Sequence, residues 1–235
     1  MDVLSRPAPE PDRTVPYGDD PDQVLEMWPG GEPGRPTVVI VHGGFWRPRF
    51  DRTHARPMAT ALHETGSQVC SLEYRRIPGD PEATVADVVA GLRVAGEHAG
   101  DDGLVTVGHS AGGHLVLLAA LTHPDAVRGT VALAPVADLA LSERRDLGGG
   151  AVGEYLGGPA AAFGHLDPAR LATPPGPVTI VHGDRDDRVP LEISESYVHF
   201  RPGPRLVAVP SADHFALIDP LSQAWPSVVE QIRSV

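Results

Sequence analysis

The chain has 235 residues, 41% of them hydrophobic, which is enough to bury one core and short for two, so a single domain over residues 1–235 is expected. Its formal net charge of −12 at pH 7 excludes a surface that follows nucleic-acid phosphates, because such surfaces need clustered Lys and Arg. No apolar run approaches the roughly 18 residues that a membrane-spanning helix needs, so the sequence also predicts a soluble protein.

The first part of the chain, up to about residue 35, is rich in Pro, Gly and Asp. It lacks the apolar stretch of a secretory signal, which favours a cytoplasmic protein. Two short extended segments, Arg13 to Tyr17 and Gln23 to Trp28, flank the turn-like sequence GDDPD. Together they predict a hairpin at the edge of a sheet.

From Thr37 the pattern changes to buried strands. TVVIV is a β-branched run closed by glycines, which is typical of a strand buried on both faces of a parallel sheet. The single cysteine, Cys70, lies in a similar run; it cannot form an intrachain disulfide, which fits a reducing compartment. Six core strands of this kind are predicted. They are Thr37 to Val41, Gln68 to Leu72, Leu104 to Val107, Gly129 to Leu133, Pro177 to Val181 and Arg205 to Val209.

Segments with helical periodicity alternate with these strands. They are His54 to Glu64, Glu82 to Ala99, Ala111 to Thr122, Leu191 to Phe200 and Leu221 to Ser234. The alternation predicts right-handed crossovers and a mostly parallel sheet with helices on both faces. Residues 136–175 break the rhythm with GGGAVGEYLGGPAAAFG, which is too rich in glycine for a good helix. We expect a small cap or flexible insertion over the site there.

Residues 108–112 spell G-H-S-A-G between a predicted strand and a predicted helix. A nucleophile elbow holds its serine in a strained turn and needs small residues two positions before and after it. Ser110 is therefore the predicted nucleophile, and a glycine-rich turn without catalytic meaning is the alternative. The N–H of Ala111, at the positive end of the following helix, is an expected oxyanion donor. His109 is expected to line the substrate pocket.

The sequence HGGFW, residues 42–46, closes the Thr37 strand at the place where the α/β-hydrolase architecture carries its second oxyanion loop. Glycines let the backbone approach a substrate oxygen closely. We assign oxyanion donors to the N–H groups of Gly44 and Phe45, and we expect Trp46 to line the substrate pocket. The alternative is that HGG is a tight turn and Trp46 a core aromatic residue.

A base must follow the serine and its acid in chain order. His182 lies at a strand end, which it is expected to close, and His199 lies in a helical stretch away from strand ends. His214 comes immediately after the last strand, where a loop can bring its imidazole onto the serine. His214 is therefore the predicted base.

Three candidates for the acid, Asp184, Asp186 and Asp187, share the loop after the Pro177 strand. The middle of that loop faces the histidine loop, which favours Asp186 and leaves Asp187 open. A metal cluster of His182 with these aspartates is a rival interpretation. It is disfavoured because the chain offers no matching ligand pair, so neither a metal nor another cofactor is expected.

The motifs HGGFW, EYR (Glu73 to Arg75), GHSAGGHL, HGDRDDRVP and DHF resemble, in order and spacing, the α/β-hydrolase esterases that include arylformamidase, also called kynurenine formamidase. The resemblance covers about Thr37 to the C-terminus. In the family pattern HGxxDxxVP the triad acid is the fourth residue after the histidine, which corresponds to Asp186. The aromatic residue and Trp after HGG imply the formamidase side of the family, although Phe45 stands where formamidases often carry Tyr and the cap is short and glycine-rich.

The resemblance implies a Ser-His-Asp hydrolase of a small acyl group, with the formyl group of an N-formylkynurenine-type substrate as the leading candidate. Alternative substrates are short-chain carboxylic esters and acetylated or feruloylated sugars. A hypothesis from another class is a catalytically silent scaffold that binds a small ligand, but its expected mark, a broken triad, is absent from this sequence. The expected partners are a small-molecule acyl substrate and, in a homodimer, a second copy of the chain.

Overall fold

The computed structural model describes residues 2–122, 127–199 and 201–235. Within these ranges the centre of the molecule is an eight-stranded sheet in the order β1-β2-β4-β3-β5-β6-β7-β8. Its strands are β1 (Arg13–Pro16), β2 (Val24–Trp28), β3 (Thr37–Val41), β4 (Val69–Leu72), β5 (Leu104–His109), β6 (Val127–Leu133), β7 (Val178–Gly183) and β8 (Arg205–Val209). β2 pairs antiparallel with β1 and β4, and the remaining pairings are parallel. The predicted edge hairpin and six parallel core strands are confirmed.

Helices cover both faces of this sheet. They are α1 (Arg56–Glu64), α2 (Pro81–His98), α3 (Ala111–Thr122), α4 (Leu139–Arg144), α5 (Ala151–Leu156), α6 (Leu191–His199) and α7 (Trp225–Arg233). Alternate residues of β3 belong to two separate cores: Val39 and Val41 pack on the side of α2, α3 and α6, whereas Val38 and Ile40 pack on the side of α1 and α7. All of β3 is buried because both faces of the sheet are covered.

The start of one predicted helix differs from the structure by more than two residues. The last helix begins at Trp225 rather than Leu221, because the preceding residues form a turn in which the Ser222 hydroxyl accepts the Trp225 N–H at 3.2 Å. The predicted end of α6 at Phe200 lies outside the described residues. No helix in the described ranges is both long and apolar enough to cross a bilayer.

The glycine-rich insertion contains more helix than its composition predicts. Both α4 and α5 lie in it, and α5 occupies the glycine-rich stretch itself. The reason is the placement of the glycines: Gly150 and Gly157 flank α5 with φ of 77° and 72°, a left-handed conformation that glycine adopts without strain. These two glycines therefore mark the start and the end of α5 and do not prevent the helix from forming.

Candidate active site

The predicted site residues follow strands β3, β5, β7 and β8, which run parallel. Because the carboxyl ends of parallel strands lie at the same edge of a sheet, the loops that follow them meet there. Ser110 follows β5, Asp186 follows β7 and His214 follows β8, while HGG follows β3. The topology thus brings the predicted nucleophile, acid, base and oxyanion loop to one edge.

Ser110 stands in a tight turn between β5 and α3. Its φ is 56°, a left-handed value that is strained for a residue with a side chain, and its N–H donates to the Leu133 carbonyl at 2.8 Å. The flanking glycines are required by space. A Cβ on Gly108 would lie 2.2 Å from the Gly112 carbonyl oxygen, and a Cβ on Gly112 would lie 2.0 Å from the Val41 carbonyl oxygen. This is the packing that a nucleophile elbow needs.

His214 and Asp186 form a short hydrogen bond. The Nδ1–H of His214 donates to Oδ2 of Asp186 at 2.6 Å, and the two side chains are almost fully buried. Oδ1 of Asp186 accepts the N–H groups of Arg188 and Val189, both at 2.8 Å. The carboxylate is therefore held in place by its own loop, and this leaves Nε2 of His214 as the nitrogen that can accept a proton.

The charge on Asp186 is stabilised by its neighbours. Burial raises the pKa of Asp186, but hydrogen bonds from His182 and His214 outweigh burial and hold it well below the ordinary aspartate value. The Nε2 of His182 lies 3.4 Å from the carboxylate and 2.8 Å from the Val189 carbonyl. His182 thus braces the acid loop as well as closing its strand, a contact that the sequence did not indicate.

The other two aspartates of this loop point elsewhere. Asp184 accepts the N–H of Ser211 at 2.6 Å. The Asp187 side chain is 79% exposed and lies 3.6 Å from Arg188. Of the three candidates, Asp186 is the one that contacts His214. The described part of the chain holds no group of three or more His, Cys, Asp or Glu side chains placed to ligate a metal ion.

His109 lies beside the histidine loop. Its ring is 4.5 Å from the His214 ring between centroids, and its Nε2 lies 3.0 Å from the His214 carbonyl oxygen. Burial, followed by the proximity of His214, lowers the pKa of His109 well below its ordinary value, so the ring is neutral and Nε2–H donates this hydrogen bond. His109 is 5% exposed and supports the His214 loop, and its place in the substrate pocket stays a prediction.

The loop after β3 has an unusual backbone. Gly44, Phe45 and Trp46 have φ of 118°, 52° and 54°, so three consecutive residues are left-handed. Gly43 lies against the elbow, since a Cβ there would be 3.0 Å from the Ser110 Cβ. Within the described residues, the N–H groups of Gly44, Phe45 and Ala111 donate no hydrogen bond. The backbone N–H groups of all three predicted donors are therefore unpaired within the described residues.

The structure corrects the placement of Trp46. Its side chain is only 3% exposed and lies in the hydrophobic core, where it stacks on Tyr155 with ring centroids 4.4 Å apart. The sequence could not reveal this contact because Tyr155 lies far along the chain in α5. The alternative interpretation, a core aromatic residue, describes Trp46 better than a wall of the pocket.

Glu73 is the first residue of the EYR motif, to which the sequence alone assigned no role. Oε1 of this buried carboxylate lies 2.8 Å from Nε2 of His42, and Oε2 accepts the Arg52 N–H at 2.9 Å. Arg76 pairs with the same carboxylate. Glu73 therefore ties His42, the residue before the two loop glycines, to the end of β4. The sequence feature that could have indicated this role is the position of Glu73 directly after a buried strand.

Comparisons with known proteins fit this geometry. A family model described as alpha/beta hydrolase fold matches residues 38–155, half of the chain. Esterase LipQ of Mycobacterium tuberculosis is 34% identical over 122 residues, covering 47% of this chain and 29% of that protein. An acetyl-hydrolase of Streptomyces hygroscopicus is 36% identical over 119 residues, covering 48% of this chain and 39% of that protein. The matched region thus spans about a third of these relatives' length.

Solved structures resemble nearly the whole chain. Esterase B from Lactobacillus rhamnosis superposes with a TM-score of 0.76 at 21% identity, covering 97% of this chain and 85% of that one. Esterase 2 from Thermogutta terrifontis gives a TM-score of 0.71 at 21% identity, covering 94% and 92%. At such low identity these likenesses establish the fold alone.

Proposed function

We propose that this chain, which belongs to the alpha/beta hydrolase fold family, is a serine esterase that cleaves short acyl esters. Ser110 is the nucleophile, His214 the general base and Asp186 the acid that orients the base. The observation that carries the proposal is the 2.6 Å hydrogen bond between His214 and Asp186, at the sheet edge where the strained Ser110 turn stands. A base oriented by a buried carboxylate near a serine elbow supports a Ser-His-Asp mechanism.

In the proposed reaction, Oγ of Ser110 attacks the acyl carbon and its proton passes to Nε2 of His214. The Asp186 carboxylate stabilises the imidazolium that forms. His214 then gives the proton to the departing alcohol, which leaves an acyl group on Ser110. Water attacks this acyl-enzyme with His214 again as the base, and the acid is released.

Negative charge develops on the acyl oxygen in both steps. The free N–H groups of Gly44, Phe45 and Ala111 are the donors proposed to receive it. One such donor contributes about 10²- to 10³-fold to the rate in other serine hydrolases. Ala111 adds the positive end of α3, since its N–H opens that helix.

Two observations favour a small acyl ester. Ser110 is only 2% exposed, and the Phe215 ring lies against His214 with centroids 5.1 Å apart, so little of the nucleophile is accessible to a bulky acyl group. The matched relatives are called an esterase and an acetyl-hydrolase. Arylformamide hydrolysis is the second candidate, supported by the Phe45-Trp46 pair after HGG. It ranks lower because the buried Trp46 ring offers no aromatic wall to an arylamine.

A substrate panel tests this ranking. p-Nitrophenyl acetate, butyrate and octanoate, acetylated xylan and N-formylkynurenine are compared by kcat/KM, with Ser110→Ala as the blank. We expect acetate or butyrate to be turned over fastest, and the blank to lose on the order of 10³-fold or more. Faster turnover of N-formylkynurenine would reverse the ranking. Rates equal to the blank on every substrate would support a silent ligand-binding scaffold instead.

A further inference from the structure

The oxyanion loop, residues 44–47, needs support from outside itself. Phe45 and Trp46 both have left-handed φ values, 52° and 54°. Residues with bulky side chains are strained in this conformation, so it persists only where the surroundings hold it. Glu73 holds His42, the residue before the glycines, but within the described part of the chain neither side chain contacts Phe45 or Trp46. The support for this half of the loop must come from elsewhere.

The cap segment, residues 148–155, contacts each side chain of the loop in turn. The Phe45 ring packs on Gly148, where an added Cβ would lie 3.0 Å from two ring carbons. Nε of Arg47 donates to Oε2 of Glu154 at 2.8 Å, and its Nη2 donates to the Gly149 carbonyl at 3.3 Å. The contacts at both ends of the loop therefore come from one stretch of the insertion.

The central contact is the stack of Trp46 on Tyr155. The two rings are nearly parallel, 11° apart, and both side chains are 3% exposed. His114, one helical turn after Ser110 on α3, meets the Trp46 ring edge-on with centroids 5.2 Å apart. Among the described residues, neither Trp46 Nε1 nor the Tyr155 hydroxyl has a hydrogen-bond partner, so ring packing rather than polar bonding joins loop and cap.

The cap segment is itself anchored to the body of the fold. The N–H of Gly79, in the connection between β4 and α2, lies 3.0 Å from the Glu154 carbonyl and 3.2 Å from the Tyr155 carbonyl. Val152, which lies with Tyr155 on α5, is buried in the hydrophobic core. Tyr155 therefore presents a fixed surface to Trp46.

From these contacts we infer that the cap segment is a positioning element for catalysis, with Tyr155 as its central positioning residue. By packing on Trp46 it keeps the loop in the strained conformation that leaves the Gly44 and Phe45 N–H groups free for the acyl oxygen. The inference rests on the proposed function. Because oxyanion donors act mainly in the transition state, loss of Tyr155 lowers kcat and leaves KM nearly unchanged.

The test compares Tyr155→Leu with Tyr155→Phe and with Tyr197→Leu. Tyr197 is a buried tyrosine on α6 that lies outside the loop contacts, so its variant controls for general destabilisation. On p-nitrophenyl acetate, Tyr155→Leu is expected to lose about 10²-fold in kcat, the effect of misplacing catalytic groups by about 1 Å. Tyr155→Phe keeps the ring and the rate, and folded Tyr197→Leu keeps kcat.

A second pair avoids the core, in case Tyr155→Leu fails to fold. Glu154→Gln breaks the half-exposed ion pair with Arg47, and Glu192→Gln breaks an exposed ion pair with Arg145 that does not touch the loop. The first variant is expected to lose about two- to fivefold in kcat, in keeping with the modest strength of such pairs. The second is expected to match the wild type.

The outcomes separate the two proposals. A wild type no faster than Ser110→Ala would overturn the proposed function, and the positioning role with it. An active wild type whose folded Tyr155→Leu variant keeps its kcat, or loses only substrate affinity, would overturn the positioning role alone. If Tyr155→Leu does not fold, equal kcat values for Glu154→Gln and Glu192→Gln would do the same.

Discussion

Replacing Gly112 by Ala tests the packing that holds the nucleophile turn. The new Cβ would lie 2.0 Å from the Val41 carbonyl oxygen and 2.5 Å from that of His42. Ordinary van der Waals contact begins at 3.4 Å, which is 1.4 Å longer than 2.0 Å. β3 and α3 would therefore have to separate by about 1.4 Å. Neither atom can rotate away, because both belong to the backbone.

Overpacking of this kind costs about 1–3 kcal/mol or more, and the backbone clash sets the expectation at the upper end. About 3 kcal/mol corresponds to a fall in Tm of roughly 6–12 °C for a domain of this size. A shift of about 1 Å between Ser110 and the oxyanion loop should also cost on the order of 10² in kcat/KM.

The matched control is Gly96→Ala on the exposed face of α2, where the nearest atom to an added Cβ is 4.0 Å away. It removes a flexible residue from a helix and should stabilise the protein by up to about 1 kcal/mol. Thermal unfolding and ester hydrolysis of the two variants are measured side by side. If Gly112→Ala unfolded at the wild-type temperature and kept full activity, the packing argument for the turn would be refuted.

Three further predictions concern the histidines and the acid. In steady-state assays, Asp186→Asn should lower kcat by up to about 10⁴-fold, as loss of a triad acid does, whereas Asp187→Asn changes an exposed side chain and should keep nearly the wild-type kcat. Equal, mild losses in both variants would contradict the assignment. His214→Ala should cost on the order of 10³-fold or more while His199→Ala changes little, and the reverse order would reassign the base. Burial lowers the pKa of His114 to about 4, whereas the same side chain in the unfolded chain has a pKa of about 6.5. The unfolded state is therefore protonated first as pH falls, and the folded state loses stability between about pH 6.5 and about pH 4. Urea unfolding at pH 7 and pH 5 should therefore show a smaller pH dependence in His114→Gln than in the wild type, and an unchanged dependence would refute this prediction.

The fold was largely predictable because its signals are local. Each core strand is a short apolar run between turn residues, and TVVIV became β3 with every residue buried. The helix content of the glycine-rich insertion was underestimated for another local reason. Composition alone does not distinguish glycines inside a helix from Gly150 and Gly157, which stand at its ends.

The candidate site was predictable where chain order and strand ends determine it. Ser110, Asp186 and His214 come to one edge because each follows a parallel strand. What the sequence could not supply were contacts between distant segments. The stack of Trp46 on Tyr155 depends on packing across the molecule. Residue types alone could not distinguish Asp186 from Asp187, because the distinction depends on how one loop is oriented toward His214.

Covalent labelling of Ser110 tests the central claim most directly. A fluorophosphonate probe reacts only with a serine whose hydroxyl is activated by a neighbouring base. Incubation of the folded wild type, followed by peptide mass spectrometry, should place one adduct on Ser110. Labelling should vanish in Ser110→Ala and become far slower in His214→Ala. A folded wild type without an adduct, or with the adduct on another serine, would contradict the proposed serine esterase.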